Sequence, residues 1–198
     1  MRRIETIGLA AAGSLFAASS ASAHFQGLGL SDFNAGVIHP LLTLQHALAL
    51  IAFGLMCGQH GASLLRYGLP ALTLGLGLGF AGAYLGETLP AAPTILTVLG
   101  LAAGLAVAAN YRLPAWAAMG LGGMIGLMIG LESKPETATL LAQLAGISGT
   151  TIAVLLLFLN LAGLAAFVTA QWLQIGVRIL GSWTSAAAFL NIMLLFRK

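Results

Sequence analysis

Residues 37–55 read VIHPLLTLQHALALIAFGL, an apolar stretch interrupted by two imidazoles, His39 and His46. About 20 apolar residues cross a bilayer, so this stretch is typical of a membrane-spanning helix. The histidines are seven residues apart, and a continuous helix would place them on one face, about 10 Å apart along its axis. At that spacing they would not chelate one ion alone. Two imidazoles on one face favour a functional role, and the alternative is that each hydrogen-bonds a neighbouring helix.

The rest of the chain has the same apolar character. Of its 198 residues, 59% are hydrophobic and 7% are charged, and the mean hydropathy is +0.99. These values exclude an ordinary soluble domain and predict an all-α polytopic membrane bundle surrounded by membrane lipid. The net charge of +3 comes from few groups without a basic run, so we expect no nucleic-acid partner. A single cysteine, Cys57, excludes an intrachain disulfide.

Residues 1–23 have the form of a cleavable signal peptide. Arg2 and Arg3 precede a short apolar core, and ASA before His24 is a small-x-small cleavage site. An uncleaved amino-terminal helix is the alternative, because signal and anchor differ mainly in core length. Residues 24–198 are then a single integral-membrane domain. Cleavage would place the α-amino group of His24 beside its imidazole, a chelate suited to copper or nickel; a solvent-exposed terminus is the alternative.

About six transmembrane helices are predicted after the signal peptide. The spans are 36–57, 64–86, 91–109, 113–131, 146–168 and 176–196. Arg66, Arg112 and Arg178 then share one side, which the positive-inside rule assigns to the cytoplasm. We therefore predict a multi-pass protein of the bacterial inner membrane with its mature amino terminus outside.

Glycine spacing and acidic residues add two further expectations. Glycines four residues apart, such as Gly126 with Gly130 and Gly82 with Gly86, predict close helix contacts within the bundle or in a homo-oligomer. The acids that remain after signal removal fall on the outer side. They are Asp32, Glu87, Glu132 and Glu136.

Several stretches together resemble the HupE/UreJ family of hydrogenase and urease accessory permeases. HPLLTLQHALALIAFGL is similar to the family's first-helix signature, with His39, Pro40 and His46 matching and Gln45 in place of an Asp. GAYLGETLP resembles the close of the second helix, and RLPAWAAMGLGGMIGLMIGLE resembles the fourth. The resemblance implies transport of a divalent metal ion for metalloenzyme assembly, with nickel first and cobalt in some members.

The same resemblance shows which expected ligands are replaced. The family's fourth helix carries His-Gly-x-x-His-Gly-x-Glu, whereas this chain has Ile125 and Ile129 in place of both histidines and keeps Glu132. Asn160 stands where the fifth helix commonly has a histidine. Loss of these ligands leaves a second hypothesis open, a transport-inactive accessory subunit of a larger membrane complex.

The remaining polar residues suggest a path for a transition-metal ion. His39, His46, Glu132 and His24 are the candidate metal ligands, since imidazole and carboxylate suit nickel, copper, cobalt or zinc. Five further residues are candidates for the path or for supporting the ligands, namely Gln45, Asn160, Glu87, Cys57 and His60. Cys57 and His60 would form a soft exit set near the inner surface, and a packing role is their alternative.

The sequence argues against an enzyme. GISG at residues 146–149 resembles the nucleophile motif of rhomboid proteases, but no histidine follows His60 to act as the base for Ser148. Phosphate-binding and redox-cofactor motifs are absent from the sequence.

Overall fold

The computed structural model describes residues 31–195, which form seven α-helices and no strand. The helices are α1 (Asp32–Leu42), α2 (Leu44–Gln59), α3 (Ala62–Tyr84), α4 (Ala92–Ala108), α5 (Ala115–Glu132), α6 (Leu140–Phe167) and α7 (Gln171–Leu195). The predicted all-α fold is confirmed for this part of the chain. The predicted signal peptide and His24 lie outside the described residues.

Most of the predicted spans correspond to long apolar helices. Helices α3, α5, α6 and α7 are long and apolar enough to cross a membrane, and the bent pair α1–α2 makes a fifth span if its two helices cross together. Helix α4 is apolar but has only 17 residues, or about 25 Å. The sixth crossing rests on α4 and stays a prediction.

The first predicted span is broken, so the prediction of one continuous helix was wrong. Thr43 has an extended backbone, with φ −79° and ψ 107°, and α1 and α2 are bent by 71° across it. Pro40 in the last turn of α1 has no N–H, so the carbonyl of Gly36 loses its helical partner. The hydroxyl of Thr150 in α6 donates to that carbonyl at 3.1 Å. Helix α6 thereby stabilises the part of α1 that carries His39.

We expect Thr150→Val to lower the free energy of unfolding by about 1–2 kcal/mol, because the buried Gly36 carbonyl would lose its donor. Thr151→Val is the matched control, since the hydroxyl of Thr151 donates to Ile147 within its own helix. The thermal midpoint of the purified protein in detergent measures both effects. Equal midpoints for the two variants would contradict a stabilising role for the bond between α1 and α6.

Glycines bring α3 and α5 into backbone contact. The two helices run parallel, and a Cβ added at Gly75, Gly79, Gly126 or Gly130 would overlap a carbonyl oxygen of the facing helix. The predicted close contact is therefore confirmed at these positions. Gly86 differs, because it lies in the turn after α3 with φ +89°, so the prediction of helix contact there was wrong.

The described charged residues divide between the two ends of the bundle. Helices α2 and α4 run in the same direction, since Gln59 donates to the carbonyl of Val107 and Gly100 lies against Ala49. Helix α7 runs antiparallel to α4. The acidic end contains Asp32, Glu87, Glu132, Lys134 and Glu136, and the arginine end contains Arg66, Arg112 and Arg178.

Candidate metal-ion site

Three ionisable side chains meet at the acidic end, and we call them the His–Glu cluster. His39 comes from the last turn of α1, His46 from the first turn of α2, and Glu132 is the last residue of α5. His46 Nε2 lies 2.7 Å from Glu132 Oε2. The ring centroids of His39 and His46 are 5.2 Å apart. The sequence-predicted ligands within the described residues are therefore brought together.

The break at Thr43 places the two imidazoles closer than a continuous helix would. Their rings meet edge to face at an interplanar angle of 74°. A transition-metal ion lies about 2 Å from each imidazole nitrogen that binds it. A centroid separation of 5.2 Å is compatible with two imidazoles that share one ion. The expected separation of about 10 Å was wrong, because it assumed an unbroken helix.

The environment of Glu132 determines which nitrogen of His46 is available. His46 is completely buried, and the side chain of Glu132 is 16% exposed. At the carboxyl end of α5, the helix dipole opposes a negative charge, so the carboxylate needs a partner. A carboxylate only accepts hydrogen bonds, which makes His46 Nε2 the donor. In the neutral ring the lone pair then lies at Nδ1.

Several buried polar atoms at this end have no hydrogen-bond partner among the described residues. They are His39 Nε2, His46 Nδ1, Glu132 Oε1, Ser133 Oγ and Thr137 Oγ1. Buried polar atoms are almost always satisfied by protein, water or an ion, so the unpaired atoms of His39, His46 and Glu132 suit a bound cation or its water. The sequence analysis did not identify Ser133 or Thr137, because hydroxyl residues in a loop belong to no recognised motif. The one available signal was that Ser133 directly follows Glu132 in the sequence.

No set of three His, Cys, Asp or Glu side chains within residues 31–195 is arranged to hold a metal ion. Glu132 instead lies behind His46, bound to the ring nitrogen opposite Nδ1. Carboxylates commonly orient metal-binding histidines in this way and raise the basicity of the ring. Glu132 thus orients the His46 ring through Oε2, and the direct metal coordination predicted for His39, His46 and Glu132 stays a prediction.

Other predicted residues at this end and along α6 lie outside the cluster. Gln45 is half-buried next to His46 in the first turn of α2. Glu87 is exposed in the segment after α3. Asn160 is exposed on α6, and its amide donates to the carbonyl of Leu156 at 2.7 Å. This outward position of Asn160 differs from the internal path that we predicted.

Apolar side chains fill the interior beyond the cluster. Ile125 and Ile129, which replace the two histidines expected from the resemblance, are completely buried. On α2 the buried residues after His46 are apolar or glycine as far as Gly58. In this conformation α2 provides no continuous row of buried polar side chains from His46 to the arginine end.

The two residues of the predicted exit set at the arginine end differ in burial. Cys57 is completely buried and packs against Gly68 of α3. His60 lies just after α2, and its Nε2 has no hydrogen-bond partner among the described residues. Burial lowers the pKa of His60, a hydrogen bond with the backbone of Tyr111 opposes this, and the charge of Arg112 lowers it further. The net effect lowers the pKa of His60 and favours its uncharged form.

Ser148, the candidate nucleophile that the sequence argued against, is exposed on α6. Its hydroxyl donates to the carbonyl of Ala145 in the same helix at 2.8 Å.

Comparison with known proteins gives one match that covers most of the chain. No curated protein and no solved structure matches the chain. The family described as HupE / UreJ protein matches residues 11–191, a range that includes every described helix except the last residues of α7. The chain therefore belongs to the HupE/UreJ family.

Proposed function

We propose that this protein is a transition-metal permease or metal-handling membrane protein that supports metalloenzyme assembly. Nickel is the first candidate ion, and cobalt and copper are alternatives. The observation that carries the proposal is the His–Glu cluster, two imidazoles and a carboxylate at a broken helix of an apolar bundle. Ionisable side chains are costly inside a membrane, and those that are retained there commonly mark ion paths.

The distribution of charge supports an orientation for transport. The positive-inside rule places the arginine end in the cytoplasm and the acidic end outside, in a bacterial inner membrane. Carboxylates at the outer end raise the local concentration of dications near the cluster. An arriving ion would meet Nδ1 of His46 and Nε2 of His39, with Glu132 holding the His46 ring. His24 remains a proposed capture ligand upstream of this site.

A second candidate is a transport-inactive accessory subunit that retains the family scaffold. The observation that favours it is the apolar interior, with Ile125 and Ile129 at the positions of the missing histidines. A permease must open this interior by moving helices, and the break between α1 and α2 at Thr43 lies beside the cluster. An accessory subunit needs no such opening, so a transport measurement separates the two.

The proposal is tested by metal uptake in cells that express the full chain. We expect uptake of one of nickel, cobalt, copper and zinc above that of cells without the protein. The double variant His39→Ala/His46→Ala should lose that uptake, because it removes both candidate ligands. Thr151→Ala is the control, since it removes a hydroxyl that bonds only within its own helix. Membrane abundance must be equal for all variants.

Two results would contradict the permease. One is the absence of uptake for all four metals by correctly inserted wild-type protein, which would favour the accessory subunit. The other is equal uptake by the wild type and the double variant, which would show that transport does not depend on the His–Glu cluster.

A further inference from the structure

An apolar groove lies between α4 and α5 on the side of the arginine end. Its volume is about 590 Å³, and every residue that lines it is apolar, glycine or tyrosine. The groove extends from Leu99 and Met124, near the middle of their helices, to Tyr111 and Leu113 in the loop between them. From Leu99 to Ala109 the helix rises about 15 Å, which is half of the hydrocarbon thickness of a bilayer. The groove therefore matches the depth of one membrane leaflet.

Two arginines are adjacent to residues that line this end of the groove, although neither is itself a lining residue. Arg112 stands between the two lining residues Tyr111 and Leu113, and it donates to Ser63 Oγ at 3.2 Å. Arg178 of α7 donates through Nε to the carbonyl of Ala108 at 2.9 Å, next to the lining residue Ala109. Both side chains are exposed. The described acids lie at the opposite end, so no carboxylate among residues 31–195 neutralises this pair.

The loop that carries Arg112 is held in place by its backbone. Asn110 adopts φ +53°, a left-handed conformation that asparagine tolerates. The N–H of Asn110 donates to Val107 and that of Tyr111 donates to Ala106, which closes the end of α4. The position of Arg112 beside the groove therefore follows from a hydrogen-bonded helix end.

We infer that this groove binds one anionic phospholipid, with an acyl chain between α4 and α5 and the phosphate against Arg112 and Arg178. The apolar lining matches a hydrocarbon chain, and the two cations match a negative headgroup. Anionic lipids attract arginines near the membrane surface. The site is far from the His–Glu cluster, so it does not depend on the metal proposal.

The test is native mass spectrometry of the full chain purified in a neutral detergent. Phosphatidylglycerol and phosphatidylcholine with identical acyl chains are the probes. We expect one phosphatidylglycerol to bind more tightly than phosphatidylcholine. Each of Arg112→Gln and Arg178→Gln should reduce that preference by about fivefold. Arg66→Gln is the control, because Arg66 lies at the same end but its guanidinium packs on Tyr67.

A second pair of variants tests the groove itself. Gly120 lines the groove with open space around its Cβ position, so Gly120→Phe should fill it and remove the bound lipid of either type. Gly77→Phe on α3 is the control, since Gly77 is also exposed and unobstructed. Equal binding of the two lipids by the wild type would overturn the inference, as would a preference unchanged in both arginine variants. If the wild type were a dimer and Gly120→Phe dissociated it, the groove would bind a second copy of the chain and the lipid inference would be overturned.

Discussion

The variant Glu132→Gln is expected to reduce metal uptake at least tenfold while the protein remains folded and inserted. Glutamine has nearly the same shape as glutamate, so it retains a hydrogen bond to His46 and fills the same space. It lacks the negative charge that raises the basicity of the His46 ring. Loss of such a supporting carboxylate weakens metal binding about 10- to 100-fold. Uptake should be measured as initial rate against metal concentration, at matched membrane abundance.

Glu87→Gln is the control for Glu132→Gln. Glu87 also lies at the acidic end, but it is exposed and outside the His–Glu cluster. Its neutralisation should leave uptake within about twofold, since an exposed charge acts mainly through a screened surface potential. If both variants lose uptake to the same extent, the loss is caused by the lower negative charge of the acidic end. The specific bond between His46 and Glu132 would then not be required for uptake.

The variant Gly126→Val is expected to lower the free energy of unfolding by about 3 kcal/mol or more. A Cβ at Gly126 would overlap the carbonyl oxygen of Leu72 and approach the backbone nitrogen of Leu76. Backbone atoms of a regular helix cannot move aside individually, so α3 and α5 would have to separate. Overpacking typically costs 1–3 kcal/mol even where side chains can adjust. Folded protein after solubilisation and its thermal midpoint in detergent both measure the effect.

Gly120→Val is the control for this packing prediction. Gly120 lies in the same helix, but a Cβ there meets no atom within 4 Å. The substitution also carries the same propensity change, so it isolates the helix contact from the intrinsic preference of valine. Equal stability losses for the two variants would contradict the close approach of α3 and α5.

The His–Glu cluster shows where sequence reasoning was limited. His39, His46 and Glu132 were all identified in the sequence, because ionisable residues in apolar stretches are rare and costly. The distances between them were not predicted. The distance from His39 to His46 was misjudged because a continuous helix was assumed, and Glu132 is 86 residues from His46 in the chain. Glu132 was also assigned a direct ligand role, and its bond to the far side of the His46 ring became visible only in three dimensions.

The sequence by itself determined the membrane class, the all-α fold, the approximate helix positions and the family features. These properties follow from local composition and periodicity, which bilayer thickness and backbone hydrogen bonding constrain strongly. Only the tertiary structure decided the break at Thr43, the donation from Thr150 to Gly36, and the outward position of Asn160. The physical reason is that each depends on which helix faces which. Pro40 leaves the carbonyl of Gly36 without a helical partner, and the hydroxyl that satisfies it comes from a helix more than 100 residues later.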